Sequence, residues 1–113
     1  MRSKYNPIQT MLDNYNSNIQ KEKAINNSTK LKCFIKSIID LMYLKGYELK
    51  YQNVDNNTID VYIGNTLLVT YNSDIFNSVK TETSLKFQFL LEWGMLLENL
   101  SKYNVVGQQQ LCI

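Results

Sequence analysis

Residues 47–71 alternate apolar and polar side chains, and this period of two constrains the fold more than any other feature of the chain. Tyr47, Leu49 and Tyr51 alternate with Glu48, Lys50 and Gln52; Ile59, Val61 and Ile63 alternate with Thr58, Asp60 and Tyr62; Leu67, Val69 and Tyr71 complete the apolar set. Successive side chains of a strand point to opposite faces, so the pattern predicts three strands with one buried face. The polar run Asn53–Asn57 is a turn, and Gly64-Asn65 starts a hairpin. Strands joined by such short links form an antiparallel meander.

The register follows from keeping one face apolar. A three-residue loop, Gly64-Asn65-Thr66, pairs Ile63 with Leu67, Val61 with Val69 and Ile59 with Tyr71. A plain two-residue loop would put Thr66 and Thr70 among the isoleucines. Burial of a uniform face outweighs turn preference, so the connection is expected to be three-residue or bulged. The same logic at the first turn pairs Gln52 with Thr58 and Lys50 with Asp60. Tyr62 and Leu68 are then left on the outer face.

Helical spacing surrounds this block. Asn6-Pro7 is a cap followed by a first-turn proline, with Gln9 at the capping-box position. Ile8, Met11, Leu12, Tyr15 and Ile19 make one thin apolar stripe. A second helix is expected from about Lys30 to Lys45, with Leu31, Phe34, Ile35, Ile38, Leu41 and Met42 on one side and Gly46 ending it. Residues 72–83 form a polar connection in which Ile75, Phe76 and Val79 make a short turn over the core. Thr83 or Ser84 caps a third helix, Leu85 to Tyr103.

That third helix is apolar nearly all round. Leu85, Phe89, Trp93, Leu96, Leu100 and Tyr103 form a stripe, and Phe87, Leu90, Leu91, Met95 and Leu97 widen it beyond one face. Such a helix is central in its fold or paired with another chain. Gly94 inside it costs about 1 kcal/mol against alanine and permits close helix contact.

The expected architecture is α+β, a three-stranded antiparallel meander packed on helices in the order α-α-β-β-β-α. It is expected to be one domain over 1–113. Residues 1–27 supply an N-terminal helix and linker, 28–104 the α-βββ-α core, and 105–113 a flexible tail that holds Cys112.

Composition removes most chemistry. The chain has no histidine, only two cysteines and a single arginine among twelve basic residues. Imidazole-dependent triads and the usual zinc sites are therefore excluded, and no phosphate-binding loop, nucleophile elbow or calcium loop is present. Cys33 reads as a small core residue. No metal, no cofactor and no catalytic residue is expected.

Charge is uneven. Residues 1–50 hold nine basic and four acidic groups; residues 51–113 hold three and six. Lys30, Lys32, Lys36, Lys45 and Lys50 are the candidates for contact with a nucleic-acid backbone. The helix–strand–strand–strand–helix order over 30–103 resembles a double-stranded-RNA-binding domain in topology. That resemblance implies recognition of duplex shape by loops and by a basic patch opening the last helix. The corresponding segment here, Lys80 to Lys86, holds two lysines and one glutamate, and the loop at Gly64-Asn65-Thr66 is short.

What remains is surface for contact. Tyr62, Leu68, Trp93, Met95 and Leu97 are the candidates for protein contact. The expected function is non-enzymatic binding of a host protein or protein–nucleic acid complex. Small size and a composition rich in Asn, Ile, Lys and Tyr, which AT-rich codons specify, suit a phage or mobile-element inhibitor of anti-defence type, such as one acting on a CRISPR nuclease. A nucleic-acid-binding domain and a structural homodimer through the third helix are the alternatives. No apolar run suits a secretory signal or membrane span, so the expected compartment is the bacterial cytoplasm.

Overall fold

A computed structural model of the protein describes residues 6–102. The elements are α1 (Pro7–Gln20), α2 (Asn27–Leu44), β1 (Leu49–Asp55), β2 (Thr58–Ile63), β3 (Thr66–Asn72), a 3-10 turn (Ser73–Asn77) and α3 (Glu82–Lys102). The strands form one antiparallel sheet in the order β1-β2-β3. This is the expected α+β order. The expected tail at 105–113, Tyr103 and Cys112 lie outside the described residues.

Asparagines set the helix starts. The Asn6 side-chain oxygen accepts from the Ile8 and Gln9 amides at 3.1 and 3.2 Å, and Asn26 accepts from Thr29 at 2.8 Å. Each bond satisfies a backbone donor that the first turn leaves without a partner. Gln9 donates to Asp13 instead of reaching back, so only half of a capping box forms. At the other end of α2, Gly46 takes φ 97°, and the Gly46 and Tyr47 amides donate to the Tyr43 and Met42 carbonyls at 3.0 Å. That is the paired closure a left-handed glycine allows. The cap of α3 is Thr81, not Thr83 or Ser84. Its hydroxyl accepts from the Ser84 amide at 3.1 Å, while the Ser84 hydroxyl accepts from the Thr81 amide at 2.9 Å.

The sheet departs from expectation at both turns. β1 runs on to Asp55, with a bulge at Val54, and the turn is confined to Asn56-Asn57. Lys50 therefore faces Tyr62, and Gln52 faces Asp60. The register has moved by two residues, which preserves the side each residue occupies but removes the Lys50–Asp60 pair. A cross-strand ion pair contributes under about 1 kcal/mol. The Asp55 carboxylate instead accepts from the Asn57 amide at 2.7 Å and fixes a tight turn.

At the second turn Ile63 pairs with Thr66, and Tyr62 with Leu67. Gly64 takes φ 59° in a two-residue link. A bulge at Leu68 then restores the expected pairs Val61–Val69 and Ile59–Tyr71. The bulged connection thus has both features, a tight turn and a uniform inner face. Leu68 absorbs the conflict and becomes buried.

One apolar core draws on every element. At its centre Phe34 of α2 and Phe89 of α3 stack at 4.3 Å. Phe76 of the 3-10 turn and Tyr71 of β3 meet Phe34 edge-on at 5.5 and 6.4 Å. Tyr15 of α1 meets Phe89 edge-on at 6.0 Å. These are the offset and T-shaped arrangements that ring quadrupoles favour. α1 lies against α2 and α3 and not over the outer sheet face. That outer face holds Lys50, Gln52, Asp60, Tyr62 and Thr70, with Thr70 donating to Asp60 at 2.6 Å.

Candidate functional site

The helix expected to be apolar all round has two apolar faces. Leu85, Phe89, Trp93, Leu96 and Leu100 are buried in the core. On the opposite side Phe87, Leu90, Leu91, Met95 and Leu97 are 58, 55, 44, 47 and 38% exposed. Successive helical positions turn by about 100°, so Phe87, Leu90, Leu91, Gly94 and Leu97 fall in one continuous stripe. Gly94 stands at its centre. A Cβ placed there meets nothing within 4 Å among the described residues, so their packing does not require glycine at this position. No charged residue reaches the stripe between Lys86 and Glu98, because Glu92 turns inward and is buried.

The expected contact residues therefore divide. Met95 and Leu97 are on this outer face. Trp93 is not: it is 8% exposed and belongs to the core stripe. Leu68 is also displaced from the surface, because the bulge turns it under α3, where Asn99 donates to its carbonyl at 3.2 Å. Tyr62 is half-buried on the outer sheet face and stands opposite Leu67, which is exposed in place of Leu68. Phe87, Leu90 and Leu91 were visible as excess apolar positions. Their grouping around Gly94, opposite the core, needed the helix orientation.

The lysines do not gather into one patch. Lys32 and Lys36 are exposed on α2 and Lys30 is half-buried in its first turns. Lys45 is at the far end of α2, about 22 Å from Lys30 along the helix axis. Lys32 lines a polar cleft of about 320 Å³ with Ser28, Thr29, Asn53, Asn56 and the acidic Asp55. Lys50 lines a separate shallow hollow with Tyr51 and Tyr62. Tyr51 was expected on the buried face but is exposed, and only Leu49 of β1 is buried.

Polar groups inside the protein are few. The Ser37 hydroxyl is satisfied by the Cys33 carbonyl at 2.8 Å, and Ser73 donates to Asn57 at 2.9 Å. Asn27 donates to Asn77 at 2.9 Å, and Ser28 to the Asn56 carbonyl. The asparagine-rich segments thus clasp the start of α2 to the β1–β2 turn and the 3-10 turn. Burial pushes the Cys33 thiol pKa up, which suits an inert core residue and not a nucleophile. Among the described residues no group of three or more His, Cys, Asp or Glu could hold a metal ion. No helix among them is long and apolar enough to cross a membrane.

Glu92 is the one buried acid. Gln88 donates to its carboxylate at 3.0 Å, and the buried Tyr71 hydroxyl beside it has no well-formed hydrogen bond. Burial raises the Glu92 pKa, and its hydrogen-bonding neighbours only partly offset this. A carboxyl that holds its proton more tightly folded than unfolded stabilises the fold less as pH rises. The loss begins near the unfolded value of about 4 and is complete above the folded one. Glu92→Gln is therefore expected to flatten stability across that window and to be at least as stable as the wild type at neutral pH. Urea titrations at pH 4 and pH 7 on both proteins check this. A loss of stability at pH 7 would show that the carboxylate is needed.

No family model matches the chain, and neither a curated protein nor a solved structure shows significant similarity to it.

Proposed function

We propose that the protein performs no chemistry and acts by protein–protein contact, with the outer face of α3 as its association surface. The observation that carries this reading is a 21-residue helix with a second apolar face opposite its core face. Contiguous exposed apolar surface of several hundred Å² marks contact sites in soluble proteins. Aromatic residues and methionine, here Phe87 and Met95, are enriched at the cores of protein interfaces. Size and AT-rich composition favour one concrete form, an inhibitor of a host protein carried by a phage or mobile element.

Photo-crosslinking in bacterial cells tests the reading. A benzophenone side chain at position 87 is expected to form protein adducts, and one at Lys36 to form several-fold fewer. Nucleic-acid adducts from position 36, with none of any kind from position 87, would overturn it in favour of a lysine-mediated nucleic-acid function.

A further inference from the structure

We infer that the outer face of α3 is occupied by a second copy of this chain, the two α3 helices packing antiparallel across their Gly94 region. The inference rests on the reading of this face as the association surface and names what covers it; a host protein is then met by surface of the dimer outside this face.

Area is the first support. The five exposed side chains present about 450 Å² of mostly apolar surface, on the usual accessible areas of Phe, Leu and Met. A standard interface buries about 800 Å² per partner, of which about 60% is apolar. The stripe thus supplies the apolar part of one full side, and the polar residues around it supply the rim.

Charge is the second. A two-fold interface places one patch against itself, so any net charge on it would face its own copy. This stripe carries none between Lys86 and Glu98. An antiparallel crossing at Gly94 sets each Glu98 opposite Leu90 of the other copy, one turn from its Lys86, and keeps the two Glu98 carboxylates about 12 Å apart along the axis; Lys86 and Lys102 meet only at the ends. A parallel arrangement would set like charges together at both ends.

Gly94 is the third. Glycine in a helix interior costs about 1 kcal/mol against alanine, and nothing among the described residues needs it here. A helix crossing at the centre of the stripe does, because the absent Cβ lets two backbones approach closely. Leu90 and Leu97 then flank the crossing one turn to either side.

Sedimentation equilibrium on the full chain at tens of micromolar tests this. The expected mass is twice 13.2 kDa. Two variants separate specific packing from apolar stickiness. Leu90→Lys is expected to raise the dimer dissociation constant at least a hundredfold. Gly94→Leu adds apolar surface in open space, yet is expected to raise it at least tenfold by blocking the crossing. A monomeric wild type would overturn the inference, while protein adducts from position 87 would still support the contact reading. Two further outcomes would also overturn it. One is a dimer indifferent to both substitutions, which places pairing elsewhere. The other is a monomer in which position 87 crosslinks to residues 103–113, which assigns the face to the chain's own C-terminal segment.

Discussion

Phe34→Ala is expected to destabilise the protein by about 3–5 kcal/mol, a large share of the roughly 5–15 kcal/mol by which a domain is stable. Phe34 is fully buried where four elements meet. It stacks on Phe89 at 4.3 Å and meets Phe76 and Tyr71 edge-on. Alanine removes the ring's transfer energy and leaves a cavity that its three aromatic neighbours do not fill. The neighbours belong to β3, the 3-10 turn and α3, so collapse on one side would open a gap on another. Chemical denaturation with a two-state fit measures the loss. A change below about 1 kcal/mol would mean that the site relaxes, and that the aromatic cluster is not the centre of the core.

Leu68→Ala and Leu67→Ala form the second test, and their difference matters more than either value. Leu68 is 5% exposed and Leu67 43%. Leu68→Ala is expected to cost about 2–4 kcal/mol, and Leu67→Ala under about 1 kcal/mol. The reverse order would show that the bulge is absent and that the plain three-residue hairpin forms. The same denaturation experiment on the two variants decides it.

The pair also shows how far the strand pattern was legible. Alternation located all three strands and gave Val61–Val69 and Ile59–Tyr71 correctly. These pairs hold because shifting a strand by one residue would expose its whole apolar set. The residues next to the turn did not follow. A tight link at Gly64 and a uniform inner face demand different counts of residues, and a bulge satisfies both. Which residue becomes the bulge depends on what lies beneath it, and here α3 takes Leu68. Tyr51 shows the same limit. Its parity matches the buried face, but the core covers β1 only at Leu49.

The start of α1 was more legible. Asn6 caps through bonds to amides two and three residues away, so only local sequence is involved, whereas α2 starts at Asn27, three residues before the expected Lys30. Thr81 was missed because Thr81, Thr83 and Ser84 offer equivalent hydroxyls, and the reciprocal bond between Thr81 and Ser84 selects one.

The candidate site was half legible. Composition excluded imidazole chemistry, and the third helix carried more apolar positions than one face can bury. Which of those positions turn outward was not readable. Trp93 and Met95 are two residues apart and look alike as anchors, yet one is buried and the other exposed.

By itself, then, the sequence determined the element order, the Asn6 cap, the inner sheet face and the surplus of apolar helix surface. Each depends on the periodicity of the backbone or on bonds within a few residues. Only the tertiary structure decided the bulges, the scattering of the lysines and the rotation of α3 that exposes Phe87, Leu90 and Leu91 around Gly94. Those depend on contacts between segments far apart in the chain, and side-chain type alone does not encode which face a neighbouring element will cover.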